Sequence, residues 1–150
     1  MIKEIDSAII SEEIKVKMGE HACKAYPSEC CGILFGKYED DDIIKIIDLK
    51  KGSNLLDNSY GKNDKSVKYH NVPDPKRNYE ISPLQIYRAE EEYKQKGFEI
   101  VGFYHSHPDK AAILSRKDED GMIPGLIYAI LSVTRNGCSE IRVWKKDNIE

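Results

Sequence analysis

GFEIVGFYHSH, at residues 97–107, combines an apolar run with two closely spaced histidines. The run Phe98–Tyr104 is rich in aromatic and β-branched residues and follows a glycine, which predicts a central strand. His105 and His107 stand two positions apart where this strand ends. Because residues i and i+2 of an extended chain point to the same face, both imidazoles are predicted to face one ion.

Helix and strand patterns alternate on both sides of this run. Ser82 and Pro83 favour a helix start and Gly97 favours its end, so the sequence predicts a helix over 84–96. The other predicted elements are a helix from Ser11 to about Ala25, a hairpin of strands Gly32–Gly36 and Ile43–Leu49, a short helix from about Arg116, and strands Leu126–Thr134 and Glu140–Trp144. This order predicts the α/β (α+β) class, with a mixed sheet flanked by helices.

Length and charge restrict the classes of function. A chain of 150 residues has a common size for one domain, and we interpret residues 1–150 as a single domain. Its 23 basic and 26 acidic residues are interleaved and give a net charge of −3, so neither nucleic acid nor a membrane is an expected partner. No run of about 20 apolar residues predicts a membrane helix.

The four cysteines, Cys23, Cys30, Cys31 and Cys138, form no C-x-x-C pair and have no regular spacing. Neither a disulfide framework nor a cysteine-rich zinc site is therefore predicted, and a reducing cytoplasm is the expected location. Each cysteine is interpreted as a small buried hydrophobic residue.

The stretch Lys50–Arg77 is polar and ends close to two prolines, Pro73 and Pro75. It is rich in Asn, Asp, Lys and Ser, which predicts a long loop. A loop of this length in a compact domain either serves function or is disordered, and we expect it to help form a binding groove.

A metal site is predicted from the histidine pair and a following acidic residue. A catalytic zinc ion usually has three protein ligands and leaves one position to water, a requirement that two histidines and a carboxylate meet. Asp118 is the nearest plausible third ligand to His105 and His107. If Ser115 caps the short helix, Asp118 lies in its first turn and its carboxylate is held on a rigid element.

Simpler interpretations of the same residues exist. A lone histidine is more often structural than a ligand, and Ser115 to Asp118 is also an ordinary capping box in which Asp118 satisfies helix amides. The combination of the two patterns nevertheless favours a metal site.

A metal-activated water also needs a group that accepts its proton, and a carboxylate suits that role. Glu29 directly precedes the predicted strand Gly32–Gly36. If this strand pairs with Phe98–Tyr104, Glu29 comes close to the metal and can act as the base. The alternative interpretation is that Glu29 is a solvent-exposed turn residue without a catalytic role.

Two segments together resemble the JAMM (MPN-plus) metallopeptidases. Pro27–Gly36, PSECCGILFG, resembles the glutamate-bearing segment of that family, and His105–Asp118 resembles its signature of His-x-His, seven residues and Ser-x-x-Asp. Gly97–Tyr104 and Pro124–Tyr128 are similar to the compact prokaryotic branch, so the resemblance extends over most of the chain outside residues 50–77.

The resemblance implies a fold and an activity. The expected fold is a curved mixed sheet similar to that of cytidine deaminases. Family members cleave peptide or isopeptide bonds after the tails of ubiquitin or ubiquitin-like proteins, and some compact members release a ubiquitin-like sulfur carrier. The resemblance implies zinc, about one ion per chain, with His105, His107 and Asp118 as ligands. Glu29 matches the general acid/base, and Ser115 matches the hydroxyl that helps to bind the oxyanion.

The fold alone does not decide the function, because catalytically silent MPN-type binding scaffolds share it. Such scaffolds typically lack the ligands, whereas here all five positions carry chemically competent residues. A zinc deaminase is a third class, but its H-x-E and P-C-x-x-C motifs have no counterpart in this sequence.

Overall fold

The computed structural model describes residues 1–39, 42–55, 76 and 78–148. The elements, in chain order, are β1 (Ile2–Ile5), a 3-10 helix (Ser7–Ile9), α1 (Glu12–Ala25), β2 (Cys31–Glu39), β3 (Asp42–Gly52), α2 (Pro83–Lys94), β4 (Glu99–Pro108), α3 (Arg116–Asp120), β5 (Ile127–Thr134) and β6 (Gly137–Lys146).

The strands form one mixed sheet in the order β1-β6-β5-β4-β2-β3. β4 and β5 run parallel, and the other neighbouring pairs are antiparallel. The structure therefore confirms the α+β class, the β2–β3 hairpin, and the pairing of β2 with the strand that carries the histidines. Strand β4 lies inside the sheet, with hydrogen-bonded neighbours on both sides, so its end is held firmly.

The two long helices begin where the sequence predicts. The side chain of Ser11 accepts a hydrogen bond from the Ile14 amide and caps α1. Helix α2 starts at Pro83, but among the described residues the Ser82 side chain makes no capping hydrogen bond. This helix ends at Lys94 and not at 96, since the chain turns before Gly97, which has a left-handed φ of 85°.

Each face of the sheet has its own hydrophobic cluster. Helix α1 packs on one face through Ile14, Met18 and Ala22, against strand residues such as Leu34. On the other face, Ala89 and Tyr93 of α2 pack on Ile33 and Phe35 of β2. Because Ile33 and Leu34 are consecutive in an extended strand, the two clusters lie on opposite faces.

A bulge in β4 determines which residues share the α2 face. Leu34 pairs with Gly102 and Phe35 with Ile100, so Val101 is the extra residue. Ile100 and Phe103 both contact the α2 cluster although they are three positions apart. Beyond the bulge the usual alternation places Phe103, His105 and His107 on that same face.

Several boundaries differ from the predictions. The predicted loop at 50–77 starts too early, because β3 continues to Gly52, and positions 56–75 and 77 of it lie outside the described residues. Strand β1 has no counterpart among the predicted elements. Cys30 and Cys31 are buried as expected, but Cys23 is exposed and Cys138 is only partly buried. Within the described part of the chain, no helix has the length and apolar character needed to cross a membrane.

Candidate metal and catalytic site

The two histidines lie side by side on the α2 face at the end of β4. His105 pairs with Cys31 of β2 on one side and with Ile130 of the parallel strand β5 on the other. Both rings are buried, with 1% of His105 and 8% of His107 exposed. The Nε2 atoms of the two rings are 3.1 Å apart, so the pair faces a common point, as the i, i+2 spacing predicts.

Asp118 reaches the same point from helix α3. Its Oδ1 lies 3.2 Å from Nε2 of His105, and its Oδ2 lies 3.1 Å from Nε2 of His107. The helix holds it there through a capping box, in which the Ser115 amide donates to Oδ2 and the Asp118 amide donates to Oγ of Ser115. Asp118 therefore completes the capping box and faces the two histidines at the same time.

The spacing of these atoms fits a zinc ion. Tetrahedral zinc with Zn–N bonds of about 2.0 Å holds its ligand atoms about 3.3 Å apart. The two Nε2 atoms are 3.1 Å apart, and each lies 3.1 to 3.2 Å from a different oxygen of the Asp118 carboxylate. Nδ1 of His107 donates to the carbonyl of Ala111 at 3.0 Å, a bond that leaves Nε2 free of its proton for a metal.

The protonation of the three converging groups decides how readily they accept a cation. Burial lowers the pKa of His105 and keeps this imidazole neutral. Burial of Asp118 opposes its charge, but hydrogen bonds from His105 and His107 hold the pKa of the carboxyl well below its usual range. Burial also opposes a proton on His107, yet its bond to Asp118 raises the pKa of this histidine, so a proton competes for the position where a metal would bind.

Glu29 lies beside the histidines at the start of β2. One of its carboxylate oxygens lies within 4.8 Å of a ring nitrogen of both His105 and His107. The side chain is only 5% exposed, and this burial raises its pKa to about 7, although the nearby His107 acts in the opposite direction. The structure thus brings Glu29 to the site, as strand pairing predicts.

Ser106, between the two histidines, fixes the position of Glu29. Its Oγ accepts a hydrogen bond of 2.8 Å from the Cys30 amide, and its own amide donates to the Cys30 carbonyl at 3.1 Å. The residue next to Glu29 is therefore held directly against the end of β4. Ser106 is fully buried, and its role is to hold the structure of the site in place.

Two further residues contact this region and were not identified in the sequence. Tyr79 stacks on the ring of His105, and Asn54 donates from Nδ2 to the Glu29 carbonyl at 3.1 Å. Both lie close to the ends of the polar stretch 56–75 in the chain. Because their contacts are with distant residues, no periodicity or local motif indicates them.

An open cleft of about 590 Å³ contains the site. Glu29, the histidines, Ser115 and Asp118 line its polar part. Its apolar walls are formed by Ile81, Ile86, Phe103, Ile113, Ile123 and Tyr128. The cleft therefore offers an apolar surface directly beside a group of convergent polar atoms.

The mixed sheet thus holds two histidines and an aspartate beside a buried glutamate, as the resemblance to the JAMM family implies. The family model for prokaryotic homologs of the JAB domain matches residues 11–145, and the chain belongs to this family. The resemblance to the compact prokaryotic branch of the JAMM proteins is thereby confirmed.

Individual relatives agree with this assignment. A protein named desampylase from Haloferax volcanii is 30% identical over 107 residues, which are 71% of this chain; the chain spans 63% of the length of that relative. A solution structure of a Salinibacter ruber protein is 27% identical, with a TM-score of 0.62, covering 91% of this chain and 80% of that one. A Desulfitobacterium hafniense protein, 21% identical with a TM-score of 0.64 over 94% of this chain and 91% of its own, shares the fold.

Proposed function

We propose that this protein is a zinc-dependent hydrolase that cleaves a peptide or isopeptide bond after the C-terminal tail of a ubiquitin-like or sulfur-carrier protein. The observation that carries this proposal is the convergence of Nε2 of His105, Nε2 of His107 and the Asp118 carboxylate beside the buried Glu29. The similarity to the desampylase supports a hydrolase that acts on conjugates of ubiquitin-like proteins.

His105, His107 and Asp118 would hold the zinc ion. Glu29 is a second carboxylate near the histidines, but Asp118 has contacts of 3.1 and 3.2 Å and a strongly lowered pKa, as a permanently charged ligand requires. Glu29 lies farther away and has a pKa of about 7, which suits a group that gains and loses a proton. When bound, zinc supplies Lewis acidity and makes a water molecule acidic enough to be deprotonated near neutral pH.

Glu29 would move the proton during hydrolysis. As the water oxygen attacks the carbonyl carbon, the carboxylate of Glu29 accepts the proton of the water. It then gives this proton to the amide nitrogen, so that the carbon–nitrogen bond breaks and a neutral amine leaves. The burial that leaves Glu29 only 5% exposed also limits its contact with bulk water.

Ser115 would stabilise the negative charge on the carbonyl oxygen. A hydroxyl has two lone pairs and one hydrogen, and the capping box uses only a lone pair of Oγ, which accepts from the Asp118 amide. The O–H is therefore available to donate to an oxyanion in the cleft that Ser115 lines.

The cleft would hold the extended tail of the substrate. A Gly-Gly terminus suits the part of the cleft beside the zinc ligands, because residues without a side chain can pass close to them. We also propose a cytoplasmic location, which the four free thiols among the described residues support.

Cleavage of a small ubiquitin-like protein ending in Gly-Gly, fused to a reporter, tests the proposal. We expect cleavage after the second glycine by the zinc-loaded protein, no cleavage after chelation, and recovery when zinc is added back. Mass spectrometry of the products locates the cut. A zinc-loaded, folded protein that cleaves neither peptide nor isopeptide fusions would instead be a silent binding scaffold.

A further inference from the structure

The two histidines of the site differ in how their second ring nitrogen is held. Nδ1 of His107 is fixed by the Ala111 carbonyl at 3.0 Å. Nδ1 of His105 is buried, and no group in the described part of the chain lies within hydrogen-bonding distance of it. A metal-binding histidine almost always has such a partner, since it fixes the plane of the ring. His105 therefore needs another means of orientation.

Tyr79 is in the right place to orient this ring. Its ring stacks on that of His105 with a centroid distance of 4.6 Å and an angle of 26° between the planes. A stacked contact restricts rotation of the imidazole about its Cβ–Cγ bond, the motion that would take Nε2 away from Asp118. The contact lies on the flat face of His105 and leaves the edge that bears Nε2 clear.

The backbone on both sides of Tyr79 is held by one buried side chain. Asn54, 6% exposed, donates from Nδ2 to the Asn78 carbonyl at 3.0 Å and accepts at Oδ1 from the Glu80 amide at 3.2 Å. The same Nδ2 donates to the Glu29 carbonyl. The Leu55 amide adds a bond of 2.9 Å to the Glu80 carbonyl. Tyr79 is thereby fixed relative to both β2 and β3.

We propose that Tyr79 is a positioning residue of the metal centre, whose ring, held in place through Asn54, sets the plane of His105, since the described residues provide no hydrogen bond to Nδ1. The inference rests on the proposed role of His105 as a ligand. It extends that role, because it makes the segment 78–80 part of the metal site. It also links the metal centre to Glu29, since Asn54 binds the backbone of both segments.

Zinc affinity, measured by competition with a chromogenic chelator, tests the inference without any substrate. We expect Tyr79→Leu to weaken zinc binding by about 10- to 100-fold, the usual effect of losing a group that orients a ligand. Tyr79→Phe keeps the ring and should restore binding to within about threefold of the wild type. In the cobalt(II) form, the visible absorption bands should shift in Tyr79→Leu and remain unchanged in Tyr79→Phe.

Two more variants separate the specific effect from a general loss of structure. Tyr87→Leu removes the same side chain from an exposed position of α2 and should leave zinc affinity unchanged. Asn54→Ala should also weaken zinc binding. In the double variant with Tyr79→Leu, the loss of zinc affinity should be smaller than the sum of the two single losses, because both substitutions act on the same contact.

The results distinguish failure of this inference from failure of the proposed function. Wild-type protein that binds no zinc, or that keeps it after His105→Ala, overturns both. If His105→Ala abolishes binding but Tyr79→Leu and Asn54→Ala bind zinc like the wild type, only the role of Tyr79 is overturned. Should Tyr79→Leu fail to fold, Asn54→Ala decides, because it should weaken zinc binding if Tyr79 orients His105 and should leave it unchanged if Tyr79 does not.

Discussion

The two faces of the sheet are built for different purposes. On the α1 face, fifteen buried residues among those described, from the helix and from the sheet, form one apolar cluster. On the α2 face only four form such a cluster, and the part beyond Phe103 is an open cleft with His105, His107 and Glu29. Burying polar groups is costly, so the α1 face must supply most of the stability that the α2 face lacks. The comparison teaches that stability and chemistry can be changed separately.

Asp118→Ala should have the largest effect and should act on the α2 face alone. Loss of this carboxylate removes one of the three converging groups, so we expect zinc content to fall from about one ion per chain to nearly none and cleavage to be lost. Loss of its capping bond should cost only about 1 kcal/mol of folding free energy. Metal analysis and thermal denaturation measure the two effects.

Asp120→Ala, on the same helix, is the matched control for Asp118→Ala. It removes an exposed carboxylate at the end of α3, and zinc content should remain at the wild-type value. Zinc retained at full stoichiometry in Asp118→Ala would mean that another carboxylate, such as Glu29, is the third ligand.

Met18→Ala should have the converse effect on the α1 face. Met18 is fully buried in the apolar cluster, and its truncation should lower the free energy of unfolding by about 2–5 kcal/mol. The zinc affinity of the folded fraction should not change, because the sheet separates the two faces. Chemical denaturation and zinc titration at low temperature measure both quantities.

Val16→Ala, on the exposed side of α1, is the control for Met18→Ala and should change stability by less than about 0.5 kcal/mol. If folded Met18→Ala binds zinc clearly more weakly than the wild type, the two faces are coupled through β4 and the comparison fails.

Glu29→Gln sharpens the comparison within the α2 face. A residue that only transfers a proton can be replaced without loss of the metal, so zinc content and stability should stay near the wild type. The rate of cleavage should fall by about 100- to 10,000-fold, the usual contribution of general acid/base catalysis. Single-turnover kinetics on a Gly-Gly fusion, with metal analysis of the same sample, measures this.

The pH dependence of cleavage is an independent test of the role of Glu29. Only the deprotonated carboxylate accepts a proton, so kcat/KM should rise with pH through the pKa of Glu29. Burial raises this pKa to about 7 in the metal-free protein, and the charge of zinc must lower it, so the acidic limb should lie below pH 7. A limb of unchanged position in Glu29→Gln would assign the base to another residue.

Local patterns were sufficient for much of the fold and the site. Apolar runs located β2, β4 and β5, and the i, i+2 spacing placed His105 and His107 on one face. The capping pattern from Ser115 to Asp118 located α3 because capping depends on residues three positions apart. Strand pairing then brought Glu29 to the histidines.

Features that depend on distant partners could not be predicted. Strand β1 has only four residues and is specified by its pairing with β6. Lys50 and Lys51 made the end of β3 resemble a loop, because charged residues are common on an edge strand. The contacts of Asn54 join segments about 25 positions apart and follow no local pattern.

Ser115→Ala should have a smaller effect than Glu29→Gln. It removes the donor for the oxyanion, which acts mainly on the transition state, so kcat should fall by roughly a hundredfold while KM changes little. The lost cap should weaken α3, and zinc affinity should decrease by less than the rate. Steady-state kinetics at saturating zinc measures the effect, and Ser115→Thr, which keeps the hydroxyl, should retain most activity.

Shortening the polar stretch should have the smallest effect and tests whether the cleft extends beyond the described residues. The chain enters this stretch after Leu55 and returns at Lys76, which lines the cleft, so a substrate protein in the cleft would pass close to both ends. A deletion within 57–72 spares Asn54 and Leu55, whose hydrogen bonds fix the segment of Tyr79. If the stretch contacts the folded part of the substrate, KM for a protein fusion should rise by several-fold to about tenfold, whereas a short Gly-Gly peptide should be cleaved as before. If the wild type and the shortened variant have equal KM values for the protein fusion, recognition is restricted to the described cleft. If the shortened variant loses zinc, the stretch supports the metal site itself.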